Sequence, residues 1–285
     1  MFELQVSSPE SHAEPLCALL ESLGALSITM TDKHDHPILE PELGTSPLWP
    51  EVVINALFED IHQAQFAQQM IEQQSEHPEM VIKEIQEQDW ERTCLVDFKP
   101  LQFGDHLWVC PSWTAPPDPN ATNLILDPGL AFGTGNHQTT ALCLKWLGNH
   151  SVKELEVIDY GCGSGILALA ALKLHAKKVY AVDIDPQALI ATENNAQSNN
   201  LLCDSLFIGK PDELKKPVDL ILANILLGPL IELRFRLKEL LKPGGLLVVS
   251  GILEEQINEL KNAYEGVFTP LEENVQEGWA LIGWA

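Results

Sequence analysis

Three glycines at alternate positions, Gly161, Gly163 and Gly165, directly follow the strand-like segment Val157–Tyr160. The helical pattern Ile166–Leu174 comes next, so the order is that of a strand, a ligand-binding turn and a helix. Glycine has no side chain that would collide with a ligand approaching the backbone. The spacing is Gly-x-Gly-x-Gly rather than the Gly-x-Gly-x-x-Gly of dinucleotide enzymes, so the turn alone does not identify the ligand.

An acidic residue ends the next strand-like segment, Val179–Asp183, and lies 22 positions after Gly161. A carboxylate at the end of the second strand of such a unit can accept hydrogen bonds from both ribose hydroxyl groups of an adenosine ligand. Asp185 precedes Pro186, and we interpret Asp185 as the N-cap of the next helix with only a minor ligand role. The glycine turn and Asp183 together predict an adenosine-type ligand.

Two further segments place polar groups where a ligand could be held. Asn224 follows the buried apolar strand Leu220–Ala223, which is where open α/β sheets present ligand-facing groups; the role of a helix N-cap is the alternative. The glycine-rich stretch Leu126–Gln138 leads to Thr139 and Thr140, either of which could begin a helix whose amides favour a carboxylate. An ordinary surface loop is the alternative for this stretch.

These features resemble those of class I methyltransferases that use S-adenosylmethionine. Two segments narrow the resemblance to the family that methylates the eleventh protein of the large ribosomal subunit: Leu126–Thr140, which contains Gly-Leu-Ala-Phe-Gly-Thr-Gly-Asn-His, and Ala223–Leu230. The resemblance extends over essentially the whole chain and includes Asp89–Arg92 and Leu107–Trp113. It implies that S-adenosylmethionine is the cofactor.

The resemblance implies cofactor contacts for four residues, and the two glycine-rich segments add four more. The eight predicted cofactor-binding residues are Thr140, Gly161, Asp183, Asn224, Gly163, Thr139, Phe132 and Gly133. The first four of these are the positions that the resemblance implies. Phe132 and Gly133 belong to a stretch that can fold over the methionine end of the ligand.

Asn224 is also the predicted catalytic residue. The segment Asn224–Leu227 resembles the Asn-Pro-Pro-Tyr motif of amino-group methyltransferases, in which the amide oxygen and a nearby carbonyl hold the attacking amine. Leu227 stands where that motif has an aromatic residue, which favours an aliphatic amine over a planar one. No residue stands out as a general base, so we expect the amine proton to be lost to water. The resemblance implies methylation of lysine side chains and of an N-terminal amine, up to the trimethyl state.

The elements that position these groups alternate between strands and helices, which predicts a parallel sheet covered on both faces. The predicted strands are Val157–Tyr160, Val179–Asp183, Leu206–Ile208, Leu220–Ala223 and Leu246–Ser250. The predicted helices are His137–Leu147, Gly165–Leu174, Pro186–Ser198 and Pro229–Leu241. Val267–Glu273 and Ala280–Trp284 flank Gly278 and predict an antiparallel hairpin at the sheet edge. We therefore expect a seven-stranded, Rossmann-like α/β methyltransferase domain over residues 121–285.

Residues 1–88 predict a smaller domain of a different kind. Its elements are, in order, the strand Phe2–Val6, the helix Ser11–Gly24, the strands Leu26–Thr31 and Val52–Phe58, the helix Ile61–Gln74 and the strand Met80–Gln86. Ser11 is the expected N-cap of the first helix, and Gly24 is its expected end. This order indicates an α+β ferredoxin-like domain. Residues 89–120 are rich in aromatic residues and end in the proline-rich stretch 111–119, and we interpret them as the linker and the entry to the catalytic domain.

The charge balance indicates which kind of macromolecule the protein can bind. The chain has a net charge of −24, and residues 1–90 contain 17 acidic residues against only Lys33 and Lys83, a net of −15. Such a dense negative charge disfavours direct binding of nucleic acid and would attract a basic partner. We therefore expect residues 1–88 to recognise a basic ribosomal protein. The alternative is that the charge serves solubility alone.

Several other classes of protein are disfavoured. No apolar run is long enough to cross a membrane, and the first residues lack a basic stretch followed by an apolar one, so we expect a cytoplasmic protein. We also expect it to be a monomer. The cysteines form no Cys-x-x-Cys pair and His34-Asp35-His36 has no third ligand nearby, so we expect no metal site. The alternative functions are a methyltransferase for another protein or a small-molecule amine, a nicotinamide dehydrogenase and a non-enzymatic binding module.

Overall fold

The computed structural model describes residues 1–34, 38, 47–73, 78–85, 99–127 and 137–285. The chain divides into two compact units, Met1–Thr93 and Cys94–Ala285. Each unit has its own β-structure and its own buried apolar core. Within these described ranges, no helix combines the length and the apolar character that crossing a membrane requires.

The first unit is an antiparallel sheet covered by helices. Its elements are β1 (Phe2–Pro9), α1 (Glu10–Ser22), β2 (Ser27–Asp32), β3 (Glu51–Phe58), α2 (Ile61–Glu72) and β4 (Met80–Glu84). The strand order across the sheet is β2-β3-β1-β4, and every neighbouring pair is antiparallel. All six elements lie where the sequence predicts them. Their β-α-β-β-α-β order is the one on which the expectation of a ferredoxin-like domain rests.

Alternation of side chains along the strands produces the core of this unit. Every second residue of β3 from Val52 to Phe58 is buried, and this apolar face packs against α1 and α2. Asp60 precedes α2 and caps it by accepting hydrogen bonds from the amides of His62 and Gln63 at 2.7 and 3.1 Å. The cap and the apolar face together fix the position of α2 on the sheet.

The start of α1 differs from the prediction, whereas its end agrees with it. The helix begins at Glu10, so Ser11 lies inside its first turn and the expectation that Ser11 is the N-cap was wrong. The earlier start is stabilised by a tertiary hydrogen bond, because the amide of Glu10 donates to the carbonyl of Pro50 at 3.0 Å. The end of the helix is as predicted: Gly24 has a φ of 92°, which glycine adopts without strain.

A small three-stranded sheet lies at the start of the second unit, where the sequence predicts a linker. β5 (Leu101–Phe103), β6 (Leu107–Cys110) and β7 (Thr122–Ile125) pair in that order, and β6 and β7 are parallel. Phe103 and Leu107 are buried in the main apolar cluster of the unit. The predicted linker over residues 89–120 therefore differs from the structure at β5 and β6. Strands of three and four residues are too short to show an alternating pattern.

The main element of the second unit is a seven-stranded mixed sheet. Its strands are β8 (Glu156–Tyr160), β9 (Lys178–Val182), β10 (Leu206–Gly209), β11 (Val218–Asn224), β12 (Leu241–Leu253), β13 (Pro270–Gln276) and β14 (Trp279–Trp284). Its helices are α3 (Gln138–Asn149), α4 (Ile166–Lys173), α5 (Pro186–Ser198), α6 (Leu227–Glu239) and α7 (Ile257–Tyr264). The strand order is β10-β9-β8-β11-β12-β14-β13, which confirms the predicted seven-stranded α/β domain.

The parallel part of this sheet is buried on both faces. Strands β8 to β12 are parallel, whereas β14 and β13 form antiparallel pairs at one edge. In β11, Leu220 and Leu222 belong to one apolar cluster, and Ile221 and Ala223 belong to another. The strand is covered on each side, which explains its continuous apolar sequence. The predicted edge hairpin around Gly278 is confirmed.

Two elements near the carboxyl terminus differ from the prediction. Helix α6 begins at Leu227, two residues before the predicted start at Pro229. Helix α7 was not predicted, although it buries Ile257, Leu260 and Tyr264 at helical spacing. With only eight residues, α7 shows little more than two turns of that pattern in the sequence.

Candidate active site

The candidate site lies at the carboxyl edge of the seven-stranded sheet. The strands β8, β9 and β11 end there at Tyr160, Val182 and Asn224, and the glycine turn connects β8 to α4. The amides of Gly161 and Cys162 donate to the carbonyl of Val182 at 2.8 and 3.0 Å and hold the turn against β9. The ends of three parallel strands therefore meet where the sequence predicts a ligand site.

The three glycines of the turn all have positive φ angles: 77° at Gly161, 53° at Gly163 and 77° at Gly165. Two of them also lie against side chains that leave no room for a Cβ atom. A Cβ on Gly161 would lie 2.3 Å from Cγ2 of Ile225, and a Cβ on Gly165 would lie 2.7 Å from Cγ2 of Thr192. Both the backbone conformation and the packing therefore require glycine here.

The side chain of Asp183 is oriented by two backbone amides. Its Oδ2 accepts a hydrogen bond from the amide of Gly163 at 3.0 Å, and its Oδ1 accepts one from the amide of Asp185 at 3.0 Å. Asp185 is the N-cap of α5, as predicted, and accepts a hydrogen bond from the amide of Gln187 at 2.9 Å. Because each carboxylate oxygen has a further lone pair, Asp183 can also accept hydrogen bonds from two ligand hydroxyl groups.

Asn224 is the last residue of β11, and its side chain reaches α3. Its Nδ2 donates to Oγ1 of Thr140 at 3.2 Å. Its Oδ1 is buried, and no donor from the described part of the chain reaches it. A buried acceptor without a donor costs about 1–3 kcal/mol, so this oxygen is suited to a donor that a ligand brings. The alternative role as a helix N-cap is excluded, because Leu226 is the N-cap of α6.

The first turn of α3 forms the other side of this contact. His137 is the N-cap: its Nδ1 accepts a hydrogen bond from the amide of Thr139 at 3.4 Å and lies 2.8 Å from the Thr139 hydroxyl. Thr139 and Thr140 are both buried, and only the Thr140 hydroxyl contacts Asn224. Amides in the first turn of a helix lack acceptors within that helix and favour an anion such as a carboxylate.

Other predicted site residues fall outside the part of the chain that can be compared. Phe132 and Gly133 lie outside the described residues, so their place over the ligand stays a prediction. The same holds for Asp35 and His36 of the polar loop near residue 34. In the ranges that are described, no group of three or more His, Cys, Asp or Glu side chains could hold a metal ion.

A buried carboxyl group that no motif pointed out, Asp159, lies two residues before the glycine turn. It is 1% exposed, its Oδ2 accepts a hydrogen bond from the amide of Ala168 at 2.9 Å, and no described donor reaches its Oδ1. Burial raises the pKa of Asp159 to about 7; the Ala168 amide opposes this rise and the charge of Asp183 adds to it. The one signal in the sequence was an acid within an otherwise apolar strand.

Ile225 lies between Gly161, in the turn after β8, and Gly251, in β12. Its side chain covers Gly161, and its backbone covers Gly251, where a Cβ would lie 2.4 Å from the Ile225 carbonyl oxygen. Gly251 has a φ of 85° and follows Ser250, the residue of β12 that pairs with Asn224. These contacts fix Asn224 relative to the glycine turn. Gly251 was not predicted as functional because no local motif surrounds it.

The fold and the site define a class I methyltransferase: a Rossmann-like sheet has a glycine turn after its first parallel strand, an acid after the second and an amide oxygen after the fourth. A family model described as Ribosomal protein L11 methyltransferase (PrmA) matches residues 1–284. The chain belongs to this family, as the sequence motifs indicated. Family membership sets aside the alternatives of a nicotinamide dehydrogenase and of a non-enzymatic binding module.

Individual relatives agree with the family match. A ribosomal protein L11 methyltransferase of Legionella pneumophila (strain Corby) is 52% identical over 282 residues, which cover 99% of this chain and 98% of the relative. One of Azotobacter vinelandii (strain DJ / ATCC BAA-1303) is 47% identical over 267 residues, 93% of this chain and 91% of the relative. The crystal structure of a ribosomal protein L11 methylase from Lactobacillus delbrueckii subsp. bulgaricus has 34% sequence identity and a TM-score of 0.61, and covers 66% of this chain and 98% of that one.

The contact between Ile225 and Gly251 predicts a loss of activity in Gly251→Ala. A Cβ would displace Ile225 and with it Asn224, and a misplacement of this size should reduce turnover by roughly 10- to 100-fold in a steady-state methyltransferase assay. Gly244→Ala is a matched control, because Gly244 lies in the same strand, has a φ of 77° and has open space within 4 Å of where a Cβ would lie. The control should lose stability but keep its turnover. Equal losses of turnover in both variants would contradict the role of this contact.

The buried carboxyl of Asp159 predicts a specific pH dependence of stability. Its folded-state pKa of about 7 lies above its reference value of 3.8, so between these pH values the folded chain keeps a proton that the unfolded chain has released. The contribution of Asp159 to the stability of the wild-type protein therefore falls as the pH rises through this range and falls no further above it. Asp159→Asn lacks this loss.

Melting temperatures between pH 5 and pH 8 test this expectation. The difference between Asp159→Asn and the wild-type protein should shift in favour of the variant as the pH rises, and should level off above about pH 7. Asp204→Asn, at an exposed position, controls for the removal of one carboxylate. Parallel curves for Asp159→Asn and the wild type over the whole range would show that Asp159 does not titrate as described.

Proposed function

We propose that the protein transfers methyl groups from S-adenosylmethionine to amines of ribosomal protein L11, on lysine side chains and on the N-terminal amine, up to the trimethyl state. The observation that carries the proposal is the buried Oδ1 of Asn224, an acceptor beside the glycine turn that no described donor satisfies. The name shared by the relatives, ribosomal protein L11 methyltransferase, supports L11 as the substrate. A ribosomal substrate supports the cytoplasm as the proposed location of this activity.

The groups at the sheet edge fit S-adenosylmethionine. Asp183 has two carboxylate oxygens oriented by backbone amides and would accept hydrogen bonds from the ribose hydroxyls. Gly161 and Gly163 would present backbone rather than side chains to the ligand. The first turn of α3, which contains Thr139 and Thr140, would face the carboxylate of the methionine part. When bound, the cofactor supplies a methyl group on a positively charged sulfur, which is already a good leaving group.

Asn224 would hold the attacking amine by accepting a hydrogen bond from its N–H. The Thr140 hydroxyl accepts from Nδ2 at 3.2 Å and so keeps Oδ1 available for the amine. A lysine amine has a reference pKa near 10.4, and only its deprotonated form has the lone pair that attacks. An uncharged acceptor can orient this neutral form, and it stabilises the ammonium form less than a carboxylate would. The proton released by the amine passes to water.

The residues after Asn224 suit an aliphatic amine. Leu227 is aliphatic and only 6% exposed. This position therefore offers no aromatic ring on which a planar amide or base could stack. Leu226 is 53% exposed and presents an apolar surface that can pack against the methylene chain of a lysine. The environment of Asn224 therefore supports a lysine or another aliphatic amine as the acceptor.

The first unit would capture the basic substrate. Helix α1 alone carries three exposed glutamates, and most of the other described acids of this unit are exposed as well. Lys33, one of its few cations, lies 3.4 Å from Glu51 and 3.8 Å from Glu79 and is thereby neutralised. The remaining negative field would accelerate the encounter with a strongly basic protein.

Asn224→Ala should reduce methyl transfer to L11 about 100-fold, the cost of removing one aligned polar group at a transition state. Mass spectrometry after incubation with methyl-labelled S-adenosylmethionine should find the label on lysines and on the N-terminal amine of L11. Asn194→Ala, at an exposed position in α5, is the matched control and should keep the wild-type rate. Label that appears only on another protein or a metabolite, or an unchanged rate in Asn224→Ala, would reject the proposal.

Neutralising α1 should weaken the capture of L11. The variant replaces Glu10, Glu14 and Glu21 by Gln, and the control replaces Glu254, Glu255 and Glu259 of the second unit by Gln. At low salt the KM for L11 should rise about tenfold in the variant and less in the control, because the charge of the first unit attracts the substrate. The Kd for S-adenosylhomocysteine should stay unchanged in both. Equal KM values for the variant and the control would show that the field of the first unit has no special role.

A further inference from the structure

Helix α5 and its C-cap residue carry three polar side chains that bond to backbone outside the helix: two bond to the glycine turn and one bonds to β7. Thr192, Asn195 and Asn199 are spaced by three and four residues and therefore share one face of the helix. Thr192 is fully buried, Asn199 is 6% exposed and Asn195 is partly buried. Buried polar side chains of this kind are stable only when they have hydrogen-bond partners, and all three have them.

Thr192 fixes the central peptide of the glycine turn. Its Oγ1 donates to the carbonyl of Gly163 at 3.0 Å, and its Cγ2 occupies the space where Gly165 lacks a Cβ. The amide of the same Gly163 donates to Oδ2 of Asp183 at 3.0 Å. Gly163 is therefore held by α5 at its carbonyl and, at its amide, holds the carboxylate that is proposed to bind the ribose.

Both oxygens of Asp183 depend on α5. Asn195 supports the same turn, because its Nδ2 donates to the carbonyl of Ser164 at 2.9 Å. The second oxygen, Oδ1, accepts a hydrogen bond from the amide of Asp185, the N-cap of α5. One oxygen is thus oriented through Gly163 and the side chains of α5, and the other through the start of the helix.

Asn199 fixes α5 to the small three-stranded sheet. Its Oδ1 accepts a hydrogen bond from the amide of Ile125 at 2.8 Å, and its Nδ2 donates to the carbonyl of Ile125 at 2.6 Å. A pair of hydrogen bonds to both polar groups of one residue opposes sliding of the helix along β7. The side chains that support the glycine turn are therefore attached to a fixed base.

We propose that Thr192 and Asn195 are positioning residues for the cofactor. By holding the carbonyls of Gly163 and Ser164, they orient the amides of the turn and the carboxylate of Asp183 toward the ribose. Their effect on binding passes through Gly163 to Asp183 and needs no contact with the cofactor. The inference rests on the proposed function, because it takes S-adenosylmethionine to lie at the glycine turn.

Two substitutions at one position separate the hydrogen bond from the packing. Thr192→Val keeps the shape of the side chain and removes the hydroxyl, whereas Thr192→Ser keeps the hydroxyl and removes the methyl group. Calorimetry with S-adenosylhomocysteine and the full chain should give a Kd about fivefold to tenfold higher for Thr192→Val, the size of one lost hydrogen bond. The Kd of Thr192→Ser should stay near the wild-type value.

A double-mutant cycle with Asp183→Ala tests the path of the effect. If Thr192 acts through Asp183, Thr192→Val should change the Kd by less than about twofold once Asp183 has been removed, because coupled residues do not contribute additively. A general loss of packing would weaken binding equally in both backgrounds. Equal effects would therefore overturn the proposal.

The remaining outcomes separate this inference from the proposed function. A normal Kd in Thr192→Val beside a raised Kd in Asp183→Ala would overturn the positioning role and leave the cofactor site intact. A normal Kd in Asp183→Ala would overturn both. If Thr192→Val does not fold, Asn195→Ala, at a partly buried position, gives the same readout: a severalfold higher Kd is expected, and an unchanged Kd would overturn the proposal.

Discussion

The close approach of Ile225 to Gly161 and Gly251 is the contact on which the site depends. A Cβ would lie 2.3 Å from Ile225 if it were on Gly161 and 2.4 Å if it were on Gly251. Non-bonded atoms cannot lie so close together. The residues after β11 can therefore pack against the turn after β8 only because both positions are glycine. The sheet order brings the two loops together. From β8 the chain continues to β9 and β10 on one side and then crosses to β11 on the other, which makes the gap between β8 and β11 a topological switch point. The acceptor oxygen of Asn224, at the end of β11, and the glycine turn, after β8, therefore lie at the same edge of the sheet.

The residues at this edge of the sheet could be predicted because their signals in the sequence are local. Gly161, Asp183 and Asn224 each come at or directly after the end of an apolar strand, and the ends of parallel strands must meet at one edge of a sheet. The edge hairpin was predictable for the same kind of reason, since two alternating segments flank Gly278. The chemistry of the ligand beyond an adenosine group came from the resemblance to a family, because no single residue type distinguishes a sulfonium cofactor from other adenosine ligands.

The residues that hold this edge of the sheet in position could not be predicted, because the groups they contact are distant in the sequence. Thr192 bonds to a carbonyl 29 positions earlier and, in the sequence, looks like any other residue of an amphipathic helix. Asp159 owes its raised pKa to burial, which depends on the helices and strands packed around it. A tertiary contact also explains the error at the start of α1. The amide of Glu10 donates a hydrogen bond to the carbonyl of Pro50, which stabilises a helix that begins before Ser11. Local sequence patterns thus predict which residues lie at the candidate site, whereas the residues that hold them in position can be identified only in the folded structure.

Under the proposed function, the charges of the protein would attract a basic substrate and would have to leave its amine able to react. A negative group beside a lysine amine stabilises the ammonium form, which has no lone pair for the methyl group. A chain with a net charge of −24 faces this conflict with any basic partner. Asn224 would provide an uncharged acceptor, and burial raises the pKa of Asp159 to about 7, which favours the uncharged form of this acid. The densest acidity lies instead in the first 90 residues, and Asn224 belongs to the other unit. Under the proposed function, the first unit would therefore supply most of the long-range attraction, and the group that would hold the amine, Asn224, carries no charge that favours its ammonium form.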